Sequence, residues 1–143
     1  MGLYTIQRAI TDEQILSCHE IMSELRPHVA KSEFLSTIER MQQQGYQLVF
    51  LSVSDVVCAV AGYRVNEMLR TGKMMEIDDL ITSREFRSKR YGGLLLDWII
   101  DEAWKIGCRF VELDSAVHRA DAHRFYFRER MHILAYHFSI QLG

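Results

Sequence analysis

Between residues 46 and 82 the chain carries three strand-like runs rich in apolar residues, too closely spaced for a helix to lie between them: YQLVFLSV (46–53), VVCAVAGYRV (56–65) and KMMEIDDLIT (73–82). Parallel neighbours need a crossover of a dozen or more residues. Runs joined by Ser54-Asp55, and then by a turn marked at Thr71-Gly72, are therefore expected to pair as an antiparallel meander. The fold must be built around that sheet.

The flanking segments have a different period. LYTIQRA (3–9) reads as a first strand. Thr11 then heads TDEQ, a capping box in which Thr11 accepts from the amide of residue 14 and Gln14 reaches back. Ile15, Leu16, Cys18, Ile21, Met22 and Leu25 follow at helical spacing until Pro27, the only proline. Ser32 can cap a second helix, with Phe34, Leu35, Ile38 and Met41 as its stripe and Gly45 at its end. After the meander, Leu94, Leu95, Trp98, Ile99, Ala103 and Ile106 predict a helix over 91–106, stopped by Gly107. CRFVELDS (108–115) reads as a strand, ADAHRFYFRER (120–130) as a helix and HILAYHFSI (132–140) as a last strand. A β-α-β-α-β second half favours parallel neighbours around the 91–106 helix. With no repeat, low-complexity tract or linker, the expectation is one mixed α/β domain over 1–143, in the order β-α-α-β-β-β-α-β-α-β.

Bulk properties exclude several function classes. Formal net charge is −2, which gives no bulk attraction for nucleic acid. The three cysteines, Cys18, Cys58 and Cys108, are odd in number and form no CxxC, so neither a disulfide framework nor a zinc site is expected. Cys58 and Cys108 read as core residues in a reducing, cytoplasmic compartment. No apolar run approaches a membrane-spanning length, and MGLYTIQRAITDEQ lacks the apolar core of a signal peptide. Met1-Gly2 is not followed by the Ser or Thr at position 6 that myristoylation needs.

Positive charge is concentrated in REFRSKRYGGLLLDW (84–98), where Arg84, Arg87, Lys89 and Arg90 precede a helix. A helix start offers unpaired N–H groups and the positive end of a dipole. Gly92 and Gly93 leave the backbone open to a ligand. Cations at a helix N-terminus oppose the dipole, and an anion would relieve that misfit. The alternative is a solvated turn whose arginines pair with Glu13, Glu20 or other surface carboxylates. A Rossmann or P-loop nucleotide site is disfavoured, because GxGxxG after the first strand and GxxxxGK[ST] are both missing.

The element order and this loop resemble the GNAT superfamily, the acyl-CoA-dependent N-acyltransferases. The family motif R/Q-x-x-G-x-G/A matches Arg87-Ser88-Lys89-Arg90-Tyr91-Gly92, with arginine at the glycine position 90 and serine at 88. DAHRFYFRERM resembles the family's A-x-x-x-Y-x-x-x-G-F segment through Ala122, Phe125 and Tyr126, with Arg130 and Met131 where Gly and Phe are usual and Arg119 where Asn is common. If position 90 requires positive φ, arginine costs about 1 kcal/mol there.

The resemblance implies an N-acetyltransferase that uses acetyl-CoA and no metal. Amides of Ser88, Lys89, Arg90, Tyr91, Gly92 and Gly93 would cradle the pyrophosphate, aided by the charges of Arg87 and Lys89. Leu80, Ile81 and Thr82 would hold the pantetheine arm like an added strand, and an amide near Leu80 or Ile81 would polarise the thioester carbonyl. Tyr126 would be the general acid for the CoA thiolate; read alone, it is an amphipathic packing residue. Glu76, Asp78 and Asp79 are candidate bases, with Glu76 and Asp79 ahead, and strict alternation would place Asp79 on the face opposite Glu76 and Asp78. A water relay is an equal alternative. His118 and His123 read as helix-flanking caps, and Asp114 as a weaker acceptor contact. The acceptor would be a small-molecule or peptide amine, with no nucleic-acid or membrane partner and a homodimer left open. A non-catalytic acyl-CoA-binding module with a degenerate loop is the alternative function.

Overall fold

A computed structural model describes residues 3–143, so the reading of Met1-Gly2 lies outside the described residues. The elements are β1 (Thr5–Arg8), α1 (Asp12–Ser17), α2 (His19–Leu25), α3 (Lys31–Gln43), β2 (Gln47–Val53), β3 (Val56–Met68), β4 (Gly72–Thr82), α4 (Tyr91–Lys105), β5 (Phe110–Leu113) and α5 (Ala120–Arg128). A short 3₁₀ turn, Arg84–Phe86, joins β4 to α4. The strands form one mixed sheet in the order β1-β2-β3-β4-β5. The chain divides into two compact units, one running to Glu112 and the other spanning Leu113–Gly143.

The expected meander is present: β1, β2, β3 and β4 pair antiparallel in sequence order. Ser54 and Asp55 both have positive φ, 50° and 64°, as the tightest hairpin turns require. The first unit is packed on both faces of its sheet. Leu48, Phe50, Val60 and Ile81 meet Ile15, Ile21, Met22, Phe34 and Ile38 of α1, α2 and α3 in one buried cluster. Alternation turns Val49 and Leu51 to the other face. α4 packs against β2, β3 and β4, with Leu95, Leu96 and Ile99 fully buried. Each such side chain stabilises the fold by roughly 1.5–3 kcal/mol.

Four local expectations are corrected. The first helix is two helices that meet at Cys18. Ser17 Oγ and Cys18 Sγ both donate to the Gln14 carbonyl, at 2.6 and 3.4 Å. The Cys18 amide turns to the Ile15 carbonyl instead, tightening the chain there. The capping box at its start forms as expected: Gln14 N donates to Thr11 Oγ1 (3.1 Å), and Thr11 N donates to Gln14 Oε1 (3.0 Å). α3 begins at Lys31 behind an Ala30 cap, so Ser32 lies inside the helix. Cys58 is a core residue, but Cys108, next to the Gly107 turn, is only half-buried.

The fourth correction concerns residues 132–140, which are not a strand. Their alternating apolar pattern suits one, but a strand exists only where a second edge pairs its N–H and C=O groups. Among the described residues no edge does so.

Candidate functional site

The loop after β4 is anchored at its start and open at its end. Ser83 N donates to the Cys58 carbonyl (2.9 Å), and Glu24 of α2 accepts from Ser83 Oγ (3.2 Å) and Arg84 N (3.1 Å). Phe86 and Tyr91 rings, 6.3 Å apart, bracket the segment between. Within it Ser88 and Arg90 both adopt left-handed backbone, with φ of 69° and 66°. Position 90 is a glycine position of the motif this loop resembles, and position 88 is often glycine beside it. Alternating the hand of the backbone turns successive amides inward, which makes an anion-binding concavity.

Arg90 is also the N-cap of α4 and supplies no side-chain cap. The first intrahelical bond runs from Leu94 N to Arg90 O (3.0 Å), so the amides of Tyr91, Gly92 and Gly93 have no partner within the helix. Arg84 leans toward Glu24, at 3.9 Å, rather than toward Glu13 or Glu20. Arg87, Lys89 and Arg90 are exposed, and among the described residues they form no ion pair. Unpaired amides and the positive end of a helix dipole thus share one loop with three exposed cations. A diphosphate supplies the charge and acceptors that this spot lacks.

Beside the loop, β4 has an unshared edge. Arg109 N donates to the Lys73 carbonyl (2.8 Å), so the four-residue β5 starts opposite the beginning of β4. β5 therefore runs out before Leu80, Ile81 and Thr82. These three pair with Ala61, Val60 and Ala59 of β3 on their other side. Leu80 and Ile81 side chains are buried, which leaves backbone groups as what this end of β4 can offer a ligand.

The acidic stretch of β4 contains a bulge. Gly62 pairs with Asp79 and Tyr63 with Ile77, so Asp78 is the extra residue. Strict alternation fails there, and Asp78 and Asp79 enter one polar cluster rather than opposite faces. Arg64 Nε donates to Asp78 Oδ2 (2.7 Å), and the Arg64 guanidinium stacks on the Tyr46 ring. Tyr46 OH donates to Asp79 Oδ2 (2.7 Å), Arg26 Nε donates to Asp79 Oδ1 (2.9 Å), and Arg26 Nη2 donates to the Asp78 carbonyl (3.0 Å). Both Asp79 oxygens are thus engaged. Glu76 Oε1 accepts from Asn66 Nδ2 (3.1 Å). Burial, with the Asp79 charge adding to it, pushes the Tyr46 hydroxyl well above the usual phenol range.

Sequence reasoning missed Arg26, Tyr46, Arg64 and Gly62. The available signal was Gly62 itself, a glycine inside a strand, which marks a bulge or a close approach. A Cβ there would lie 1.7 Å from the Tyr46 hydroxyl oxygen.

In the second unit, Tyr126 is half-buried on α5. Burial raises its hydroxyl above the usual phenol value, opposed by the charge and hydrogen bonding of Arg119. His123 lies inside α5 rather than flanking it, and its Nε2 is 2.9 Å from the Ala116 carbonyl of the preceding loop, so it is not the helix cap expected of it. His118 is exposed, and Asp114 lies 3.0 Å from His137 Nδ1.

The chain has recognisable relatives in sequence and in fold. Residues 15–132 match the acetyltransferase (GNAT) family. The chain is 35% identical over 122 residues to the uncharacterized N-acetyltransferase YhdJ of Bacillus subtilis, covering 85% of this chain and 86% of that protein. A 54-residue stretch is 41% identical to the aminoalkylphosphonate N-acetyltransferase of Salmonella typhimurium, covering 38% of this chain and 35% of that one. Among solved structures, the aminoglycoside N-acetyltransferase AAC(6')-Iy in complex with CoA superposes with a TM-score of 0.87 at 10% identity, over 99% of this chain and 96% of that one. Glucosamine-6-phosphate N-acetyltransferase from Arabidopsis thaliana gives 0.79 at 19% identity, over 99% and 100%. With the family match spanning most of its length and the curated relative above 30% identity, the chain belongs to the GNAT family of acetyltransferases.

Proposed function

We propose that this chain moves an acetyl group from acetyl-CoA to the primary amine of a small molecule or peptide by direct attack. The observation that carries this reading is the 88–93 loop: left-handed Ser88 and Arg90, amides of Tyr91, Gly92 and Gly93 with no partner within the helix, and, among the described residues, no acidic partner for Arg87, Lys89 or Arg90. In the proposal these amides hold the pyrophosphate of acetyl-CoA, with Arg87 and Lys89 adding charge. Backbone groups of Leu80, Ile81 and Thr82 hold the pantetheine arm, and an amide near Leu80 or Ile81 donates to the thioester oxygen as negative charge develops on it.

In the proposal Tyr126 hands its proton to the sulfur as the carbon–sulfur bond breaks. A hydroxyl raised by burial stays protonated at neutral pH, the state this role needs. The attacking amine must lose a proton. Glu76 and Asp79 are the candidates, directly or through water. Asp79 is held by Arg26 and Tyr46, which suits a fixed carboxylate that orients a cationic acceptor. The acidic β4 stretch favours an amine that arrives protonated.

Two measurements test this reading. Calorimetry should detect CoA binding, weakened by at least about tenfold in Arg87→Ala/Lys89→Ala. Thiol release from acetyl-CoA over a panel of amines should fall at least about 100-fold in Tyr126→Phe, with CoA affinity within twofold of wild type. Folded protein that binds no CoA at millimolar concentration would remove the reading. Binding without thiol release from any amine would leave the non-catalytic acyl-CoA module in its place.

A further inference from the structure

The end of α2 grips β4 at two points. Arg26, its C-cap, donates from Nε to Asp79 Oδ1 and from Nη2 to the Asp78 carbonyl. Glu24, two residues earlier, accepts from Ser83 Oγ through Oε2 (3.2 Å) and from Arg84 N through Oε1 (3.1 Å). These points lie at the two ends of the run 79–84. Between them Leu80, Ile81 and Thr82 pair with β3 and lie beyond the reach of β5. Glu24 is the tie nearer the 88–93 loop.

Neither its helix nor the loop favours a carboxylate there. Glu24 stands in the last turn of α2, at the negative end of the dipole, and that turn holds no basic residue. Its charge has the same sign as the diphosphate assigned to the loop. Its ion pair with Arg84, at 3.9 Å, is largely exposed and contributes little. What Glu24 does supply is acceptor geometry. Ser83 is only 4% exposed, and a buried hydroxyl needs a partner. Arg84 N opens the 3₁₀ turn and needs one too. One carboxylate meets both needs and so fixes the direction in which the chain leaves β4.

We propose that Glu24 is a positioning residue for CoA. Through Ser83 and Arg84 it sets the exit of β4, and so holds the 88–93 amides and the 80–82 backbone in the relative placement that one CoA molecule spans. The inference rests on the acetyl-CoA reading of that loop. Its signature is a sign. Were charge the only effect of Glu24, removing it would tighten CoA binding. With geometry as its effect, removing the two acceptor atoms loosens binding, and a neutral isostere restores it. Glutamine is that isostere: its Oε1 accepts from Arg84 N, and its Nε2 donates to Ser83 Oγ, whose hydroxyl rotates to suit.

Calorimetry with CoA and hydrogen exchange of the free protein test it. Glu24→Ala should bind CoA at least about tenfold more weakly than wild type, and its Arg84 amide should exchange at least about tenfold faster. Glu24→Gln should lie within about threefold of wild type in both measurements. Glu20→Ala, which removes a charge from the exposed face of the same helix, should stay within about twofold. Ser83→Ala keeps the Arg84 contact and should bind CoA about threefold more weakly, which supplies the readout if Glu24→Ala does not fold. Wild type that binds CoA, with an alanine variant that binds it as well or better, overturns this inference alone. Equal loosening in the glutamine and alanine variants also overturns it, since geometry would then not be the cause. So does weakened binding with an unchanged Arg84 amide. Wild type that binds no CoA removes the acetyl-CoA reading, and this inference with it.

Discussion

Arg90 occupies left-handed backbone that costs a non-glycine residue about 1–2 kcal/mol. Its side chain makes no cap and, among the described residues, no ion pair that would offset the cost. Its charge, at the mouth of α4, is the feature that glycine could not supply. Arg90→Gly should therefore stabilise the free protein by up to about 1 kcal/mol, since the gain is partly cancelled by the greater freedom of glycine in the unfolded chain. That is a rise of roughly 3 °C in melting temperature. The same variant should weaken CoA binding by less than about tenfold, because the amide at position 90 survives. Scanning calorimetry with and without CoA checks both halves. A fall in melting temperature of the free protein would mean that the conformation is not strained.

At the scale of elements, the β4 bulge depends on a residue in the neighbouring strand. Gly62 lets the Tyr46 hydroxyl cross the β3 backbone and reach Asp79. Gly62→Ala would drive a methyl group into that hydroxyl, with β3 and Tyr46 both held in the core. Overpacking of this kind costs about 1–3 kcal/mol. It should also detach Tyr46 from Asp79, and activity should fall more than stability explains. Denaturant unfolding and kcat measured on the folded fraction separate the two effects. A variant as stable and active as wild type would show that Tyr46 has room to move. Gly62 and the consecutive acids of β4 were visible in the sequence, but their meeting was not. A bulge is set by register between strands, and no local pattern encodes register through an extra residue.

For the molecule as a whole, several buried acids titrate late. Burial pushes the Cys18 thiol up to about 12, and raises the Tyr46, Tyr63 and Tyr126 hydroxyls. In each case the neutral form is favoured in the folded state. The stabilisation is therefore complete below the unfolded-state values, about 8.5 for Cys and 10 for Tyr, and is lost as pH rises through the folded ones. Melting temperature should decline above about pH 9 and steeply beyond pH 10. Cys18→Ala should flatten the first part of that decline; an unchanged slope between pH 9 and 11 would remove Cys18 as a contributor.

Much of this fold is written in local signals along the sequence. The tight spacing of residues 46–82 required a meander, the TDEQ box started a helix, and the cations and glycines of 84–93 pointed to the anion site proposed above. Such features depend on contacts within a few residues, so the order of side chains along the chain suffices. Tertiary structure alone decided the engagement of Asp79 by Arg26 and Tyr46 and the lack of a ladder partner, among the described residues, for residues 132–142. Each rests on groups brought together from distant positions, or on a missing partner, and a strand-like pattern cannot by itself provide the edge that completes it.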